Sequence, residues 1–144
     1  MPIYTSDTDS IRSIMQDTKR IAVIGVSSRR TRTSNRIFRY LIDQGFSLIP
    51  INPNEKEVEG LECYQSVYEI PENEEPDMML IFRNSKATAG ELQKIIRWSK
   101  NRGSKPVIWT QIGVSSDEAE RIAEKGEFDY VKNRCLMVDH GRLI

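Results

Sequence analysis

The sequence predicts an α/β fold: one doubly wound domain around a mainly parallel five-stranded sheet, in the strand order 3-2-1-4-5. Three observations predict it. Short apolar runs rich in β-branched residues alternate without interruption with amphipathic helical stretches. The first of these runs ends at a glycine and opens onto a helix. The length of 144 residues suits one domain that buries about two-thirds of its unfolded surface. Such alternation implies parallel strands, helices on both faces and right-handed crossovers.

Taken in order, Ile11, Ile14 and Met15 recur at helical spacing behind Thr8 and Asp9, either of which can cap the helix. This amino-terminal extension, residues 1–18, is expected to pack on a single domain that spans 1–144. IAVIGVS from Ile21 is the first strand, apolar enough to be buried on both faces. Ile37, Phe38, Leu41 and Ile42 then form one stripe from Ser34 to Gln44, with Thr33 or Ser34 as cap and Gly45 beyond the end. FSLIPINP is the second strand, and the charged NEKEVEG behind it reads as loop. YQSVYEIP allows one short helical segment before the acidic PENEEP loop and the third strand, DMMLIF.

A long amphipathic helix runs from Ser85 to Arg102, closed by Gly103, and PVIWTQIGV is the fourth strand. Ser115 and Glu118 have capping-box spacing for a last helix ended by Gly126, and the fifth strand lies around DYVKNRCL.

Composition narrows the function. Charged residues are 29% and hydrophobic residues 38%, ordinary globular usage, and no transmembrane run or signal peptide is evident. Lys plus Arg equals Asp plus Glu at 21 each, so no net charge favours nucleic acid or an acidic membrane surface. Cys63 and Cys135 lack metal-type spacing and read as reduced thiols of a cytoplasmic protein.

In a doubly wound sheet, ligands bind outside the carboxyl ends of the strands. The first of these loops, GVSSRRTRTSN from Gly25, leads into a helix amino terminus with free N–H groups and partial positive charge. Ser27, Ser28, Thr33 and Ser34 add hydroxyls, while Arg29, Arg30 and Arg32 add cations, a set suited to several phosphates. Compared with G-x-G-x-x-G, Ser27 and Arg30 replace the later glycines, so a dinucleotide fingerprint is not met. The alternative is a solvated arginine loop whose hydroxyls only cap a helix.

Asn52 and Pro53 end the second strand, where an NAD-binding protein usually offers a carboxylate to the ribose. Asn52, with Lys56 beyond it, suits a phosphorylated ribose better. After the third strand, Phe82 can cover a base while Arg83 or Asn84 meets a polar edge, and Asn84 or Ser85 can equally cap the next helix. Gln111 falls near a carboxyl end on the face of Trp109, which is read as core. Cys135 and His140 are the only thiol and imidazole that could pair. They lie five residues apart with no third orienting group, so Cys135 reads as buried and His140 as structural or exposed.

These residues resemble the small CoA-binding-domain proteins related to the amino-terminal domain of the succinyl-CoA synthetase alpha subunit. The likeness runs from about Lys19 to His140 and rests on IAVIGVS, Arg32, Ser34, Arg36 and Ile37, then YLIDQGFSLIPINP, FRNS, WTQIGV and NRC, in one order. The chain departs from the family pattern at Thr33, where proline is common, and at Asn133. The resemblance implies a Rossmann-like fold with the first loop at the pyrophosphate and the next strand ends around adenosine. It implies no reaction, because the histidine phosphorylated in the synthetase belongs to a separate domain.

The expected ligand is therefore coenzyme A or an acyl-CoA, held by Gly25, Ser27, Ser28, Arg29, Arg32, Ser34, Asn35, Asn52, Pro53, Phe82, Arg83 and Gln111. The expected role is a carrier, sensor or regulatory module, with no catalytic constellation and no metal. An NAD(P)-linked oxidoreductase module and a thioester-handling enzyme using Cys135 are the competing readings. A homodimer or another protein partner stays open, and neither nucleic acid nor membrane is expected.

Overall fold

The computed structural model describes residues 3, 4 and 7–144, so residues 1, 2, 5 and 6 of the expected extension lie outside the described residues. Its strands are β1 (Ile3–Tyr4), β2 (Arg20–Ile24), β3 (Ser47–Ile51), β4 (Glu57–Val58), β5 (Leu61–Glu62), β6 (Met78–Ile81), β7 (Val107–Thr110) and β8 (Tyr130–Val131). Its helices are α1 (Thr8–Asp17), α2 (Thr33–Asp43), α3 (Ser85–Arg102), α4 (Asp117–Lys125) and α5 (Leu136–Leu143), with a 3₁₀ turn at Val67–Glu69. The five expected strands are β2, β3, β6, β7 and β8, all parallel, with helices on both faces. The doubly wound α/β class is as the sequence predicts.

The strand order is not. The large sheet runs β3-β2-β6-β7-β8-β1, so the five expected strands stand in order 2-1-3-4-5 rather than 3-2-1-4-5. The third strand crosses over the first and pairs on its far side, Ile24 opposite Ile81. Two physical reasons are visible. Every side chain of MMLI in β6 is buried, which suits a central strand and not an edge. Pro50 in β3 carries no N–H, and its carbonyl, on the outer edge, accepts from the Tyr64 N–H at 3.0 Å, so β3 suits the edge. Asp77 ties the new pairing together. Its Oδ2 accepts from the Lys19 and Arg20 N–H groups at 2.8 and 3.0 Å, and its own N–H donates to the Arg20 carbonyl.

Strand alternation sorts the core into two layers. Ala22, Ile24, Met79 and Ile81 pack against Leu92 and Ile95 of α3 and Ala119 and Ala123 of α4. Ile21, Val23, Leu80 and Trp109 pack against Ile11 and Met15 of α1, Ile37, Phe38 and Leu41 of α2, and Leu136 of α5. A period of two in the strands thus meets a period of 3.6 in the helices on each face.

Several local expectations are corrected. Asp7 caps α1, accepting from the Ser10 N–H, in place of Thr8 or Asp9. Neither Thr33 nor Ser34 caps α2, because both are already helical, and its N-cap Arg32 makes no side-chain cap bond. Ser116 caps α4, leaving the Ser115 hydroxyl to pair with that of Tyr130 at 2.6 Å. The NEKEVEG stretch is not all loop: β4 and β5 form a hairpin around Glu59 and Gly60, both at positive φ (49° and 82°), as a two-residue turn of this hand requires. Asn84 does cap α3, and Gly103 closes it in the left-handed conformation.

α5 was not expected. It is short, contains Gly141 and lacks a side-chain cap of its own, so nothing local announces it. Its first N–H, that of Leu136, is instead satisfied by Gln111 Oε1 at 2.9 Å from the end of β7. α5 also places His140 against α2, where the Tyr40 hydroxyl lies 2.8 Å from Nδ1 and the rings of Tyr40 and Phe46 meet the imidazole edge-on.

Burial pushes the His140 imidazole below its ordinary value near 6.5. The unfolded chain therefore takes up the proton first. Stability present above about pH 6.5 should decline as the pH falls through the folded value. His140 is the single histidine, so one imidazole resonance followed by proton NMR reads its titration directly; a midpoint at or above 6.5 contradicts the packing described.

Candidate functional site

The end of β2 is the point where the sheet reverses, with β3 on one side and β6 on the other. That crevice is where open parallel sheets bind ligands. Gly25 turns the chain there at φ +87°. Its N–H donates to the Ile51 carbonyl of β3 at 2.8 Å, while the Phe82 N–H donates to the Ile24 carbonyl at 2.8 Å. A Cβ on Gly25 would stand 2.1 Å from the Phe82 carbonyl oxygen, so only glycine fits.

The loop from Gly25 to Arg32 is held from beneath. The Ser34 hydroxyl accepts from the Ser27 N–H at 3.1 Å, and the Ser27 hydroxyl accepts from the Arg29 N–H at 3.0 Å. Asn35, wholly buried, donates from Nδ2 to the Ser27 carbonyl and to Glu59 Oε2, and accepts from Arg39 Nε through Oδ1. Asn52 donates to the Val26 carbonyl at 2.9 Å and accepts from the Asn54 N–H in an Asx turn. These serine and asparagine groups serve the loop's shape.

The surface so formed is a cleft of about 600 Å³. Of the residues expected at the site, Gly25, Ser27, Arg29, Arg32, Ser34, Asn52 and Phe82 line it. Pro53 and Arg83 line an adjoining pocket of about 130 Å³ that shares Gly25 with the cleft. Ser28, Asn35 and Gln111 line neither. Asn35 lies under the loop, and Gln111 is buried with its amide oxygen committed to α5. Lys56 is exposed and also lines neither cavity. The first-turn N–H groups of α2 face this region without a side-chain cap.

The arginines divide. Arg30 binds Glu59 at 2.9 Å, and that pair, helped by Asn35, holds the Glu59 carboxyl below the usual carboxylate range. Arg30 is thereby joined to the β4–β5 hairpin. Arg29 and Arg32 line the cleft, are exposed, and among the described residues have no carboxylate partner. Arg83 lies 3.8 Å from Glu91, which also faces Lys94 at 3.9 Å.

Sequence reasoning missed Glu55. Its side chain lines the cleft, and its carboxylate accepts from the Ser28 N–H at 2.7 Å and from the Ser28 hydroxyl at 2.8 Å. The only signal was the turn sequence Asn52-Pro53-Asn54, which sets Glu55 beside the loop. The remaining reactive groups lie elsewhere. Burial pushes the Cys63 thiol up to about 11, leaving little thiolate at neutral pH. Cys135 is half-buried rather than buried, at the cap of α5, and His140 Nδ1 is engaged by Tyr40. Among the described residues no group of three side chains is placed to hold a metal, and no helix is long and apolar enough to cross a membrane.

A family model described as a CoA binding domain matches residues 19–141. The uncharacterized protein YneT of Bacillus subtilis is 33% identical over 131 residues, covering 90% of this chain and 91% of YneT. The structure of a hypothetical protein from Pyrococcus horikoshii superposes with a TM-score of 0.85 at 33% identity, covering 94% of this chain and 91% of that one. A stretch of 55 residues is 38% identical to the ADP-forming acetate–CoA ligase I of Archaeoglobus fulgidus, 38% of this chain but only 8% of the ligase.

Two substitutions test how the site is built. Gly25→Ala should cost about 3 kcal/mol through the Phe82 carbonyl clash and positive φ, lowering the melting temperature by about 6–12 °C. Asn35→Ala should cost about 1–3 kcal/mol, because it strands the half-buried Ser27 carbonyl and releases Arg39. Calorimetric melting of both variants checks this, and near-native stability in either would contradict the packing described for it.

Proposed function

The chain belongs to the CoA-binding domain family, its ligand is coenzyme A, and we propose that it grips CoA or an acyl-CoA by phosphate at the turn from β2 into α2, as a carrier, sensor or regulatory module. One observation carries the reading. Two arginines that have no carboxylate partner among the described residues, Arg29 and Arg32, share a cleft at the sheet's reversal point with the uncapped amino terminus of α2. Uncapped N–H groups, the helix dipole and two guanidinium forks all favour anions, and here they converge.

The residues present fit the ligand. A volume of about 600 Å³ lies within the roughly 300–1,000 Å³ usual for small-molecule sites. Gly25 lets the chain approach closely, the Ser27 and Ser34 hydroxyls hold the loop's shape, and Phe82 and Pro53 supply apolar surface beside it. CoA brings its own thiol or thioester. We read the protein as a binder because, among the described residues, no acid, base and nucleophile converge on the cleft. The NAD(P) alternative draws on Glu55, a carboxylate near the end of the second strand of the nucleotide-binding half, though that carboxylate is engaged with Ser28.

Ligand ranking by thermal shift tests the proposal. CoA should raise the melting temperature more than dephospho-CoA, and NAD hardly at all, since two free arginines favour the ligand with the extra phosphate. At a hundred times the dissociation constant the gain is about 2.7 kcal/mol, several degrees for a domain of this size. Arg29→Ala and Arg32→Ala should each shrink the CoA shift while leaving the ligand-free melting temperature within about 1–2 °C. NAD stabilising as strongly as CoA, or no stabilisation by either, would overturn the phosphate-loop reading.

A further inference from the structure

Glu55 sits where it opposes the loop's use. Its two carboxylate oxygens take both donors of Ser28, the backbone N–H at 2.7 Å and the hydroxyl at 2.8 Å. This is the two-pronged contact that a phosphate oxygen pair makes with a loop of this kind. The carboxylate lines the same cleft as Arg29 and Arg32, and it reaches there because the Asx turn at Asn52 fixes its backbone, with the Glu55 N–H donating to the Asn52 carbonyl. Among the described residues, the Glu55 carboxylate is thus held at the loop by Ser28 alone, its backbone being placed separately by the turn at Asn52.

We propose that Glu55 is the loop's resident anion, an affinity-setting residue that a ligand phosphate displaces from Ser28 on binding. The proposal rests on the phosphate-loop reading above and adds to it. It selects for ligands with more than one phosphate at the turn, because a single phosphate only exchanges its own contact to Ser28 for that of the carboxylate. A polyphosphate gains the arginines and the α2 terminus as well. With Glu55 in place the empty loop keeps its donors satisfied, and the cost of releasing them is charged to every anion that enters.

The experiment is calorimetric titration of the wild type, Glu55→Gln and Arg29→Ala with CoA and with inorganic pyrophosphate, alongside the Ser28 amide resonance in nitrogen-15 correlation spectra. Glu55→Gln should bind both ligands about tenfold more tightly, since it removes the competing charge and retains the shape. In the wild type, either ligand should move the Ser28 amide toward a new bound position. In the Glu55→Gln variant that amide should already be shifted before ligand is added. Unchanged or weaker binding by Glu55→Gln, with the wild type binding CoA, overturns this proposal alone and leaves the phosphate loop standing. No binding of CoA by either protein, both folded by their spectra, overturns the loop reading from which it starts. If Glu55→Gln loses its folded spectrum, Glu55→Ala replaces it. That variant removes the carboxylate and leaves both Ser28 donors to the ligand, so it should also tighten pyrophosphate binding, and weaker binding counts against displacement.

Discussion

The close approach of β2 to its two neighbours at Gly25 is the constraint on which the rest of the molecule depends. The Gly25 N–H reaches across to Ile51, and the Phe82 carbonyl passes where a side chain would stand. That contact exists only because β3 and β6 flank β2 on opposite sides. The turn from β2 into the loop before α2 passes through this one residue without a Cβ, at positive φ and against the Phe82 carbonyl.

From that point outward the site is a matter of how charge is divided. Two carboxylates from the segment after β3 meet the arginine loop, and they do different things. Glu59 takes Arg30 and Asn35, tying the loop to the β4–β5 hairpin on the far side from the cleft. Glu55, which lines the cleft, takes no arginine among the described residues and accepts both donors of Ser28. Arg29 and Arg32 are left with their positive charge uncompensated in a protein whose formal net charge is zero. Local concentration of charge, against a neutral whole, is what the proposed anion site rests on.

At the opposite end of the sheet the structure depends on polar groups that reach far along the chain. Gln111 satisfies the first N–H of α5, Trp109 Nε1 donates to the Arg134 carbonyl at 2.9 Å, and Arg134 pairs with the buried Asp139 through both carboxylate oxygens. These contacts seat α5 over the α1–α2 face and bring His140 to Tyr40. Side chains that looked available for a ligand, Gln111 above all, are consumed by this seating. A buried amide finds its partner in the protein or costs free energy.

Much of the architecture was legible because periodicity is a local property. Alternating runs of two and of 3.6 identified the five parallel strands, α3 to its last residue, the placement of Trp109 in the core and the arginine turn after Gly25, and the motifs from IAVIGVS to NRC identified the family. What the sequence could not determine was who pairs with whom. The strand order, the cap of α5, the engagement of Glu55 with Ser28 and the commitment of Gln111 to α5 are all contacts between residues tens of positions apart. Their energies depend on distance in space, and a reading of neighbours along the chain contains no term for that. Only when burial of MMLI on both faces and the missing N–H of Pro50 compete for places in one sheet does the order resolve, and with it which donors are left facing the cleft.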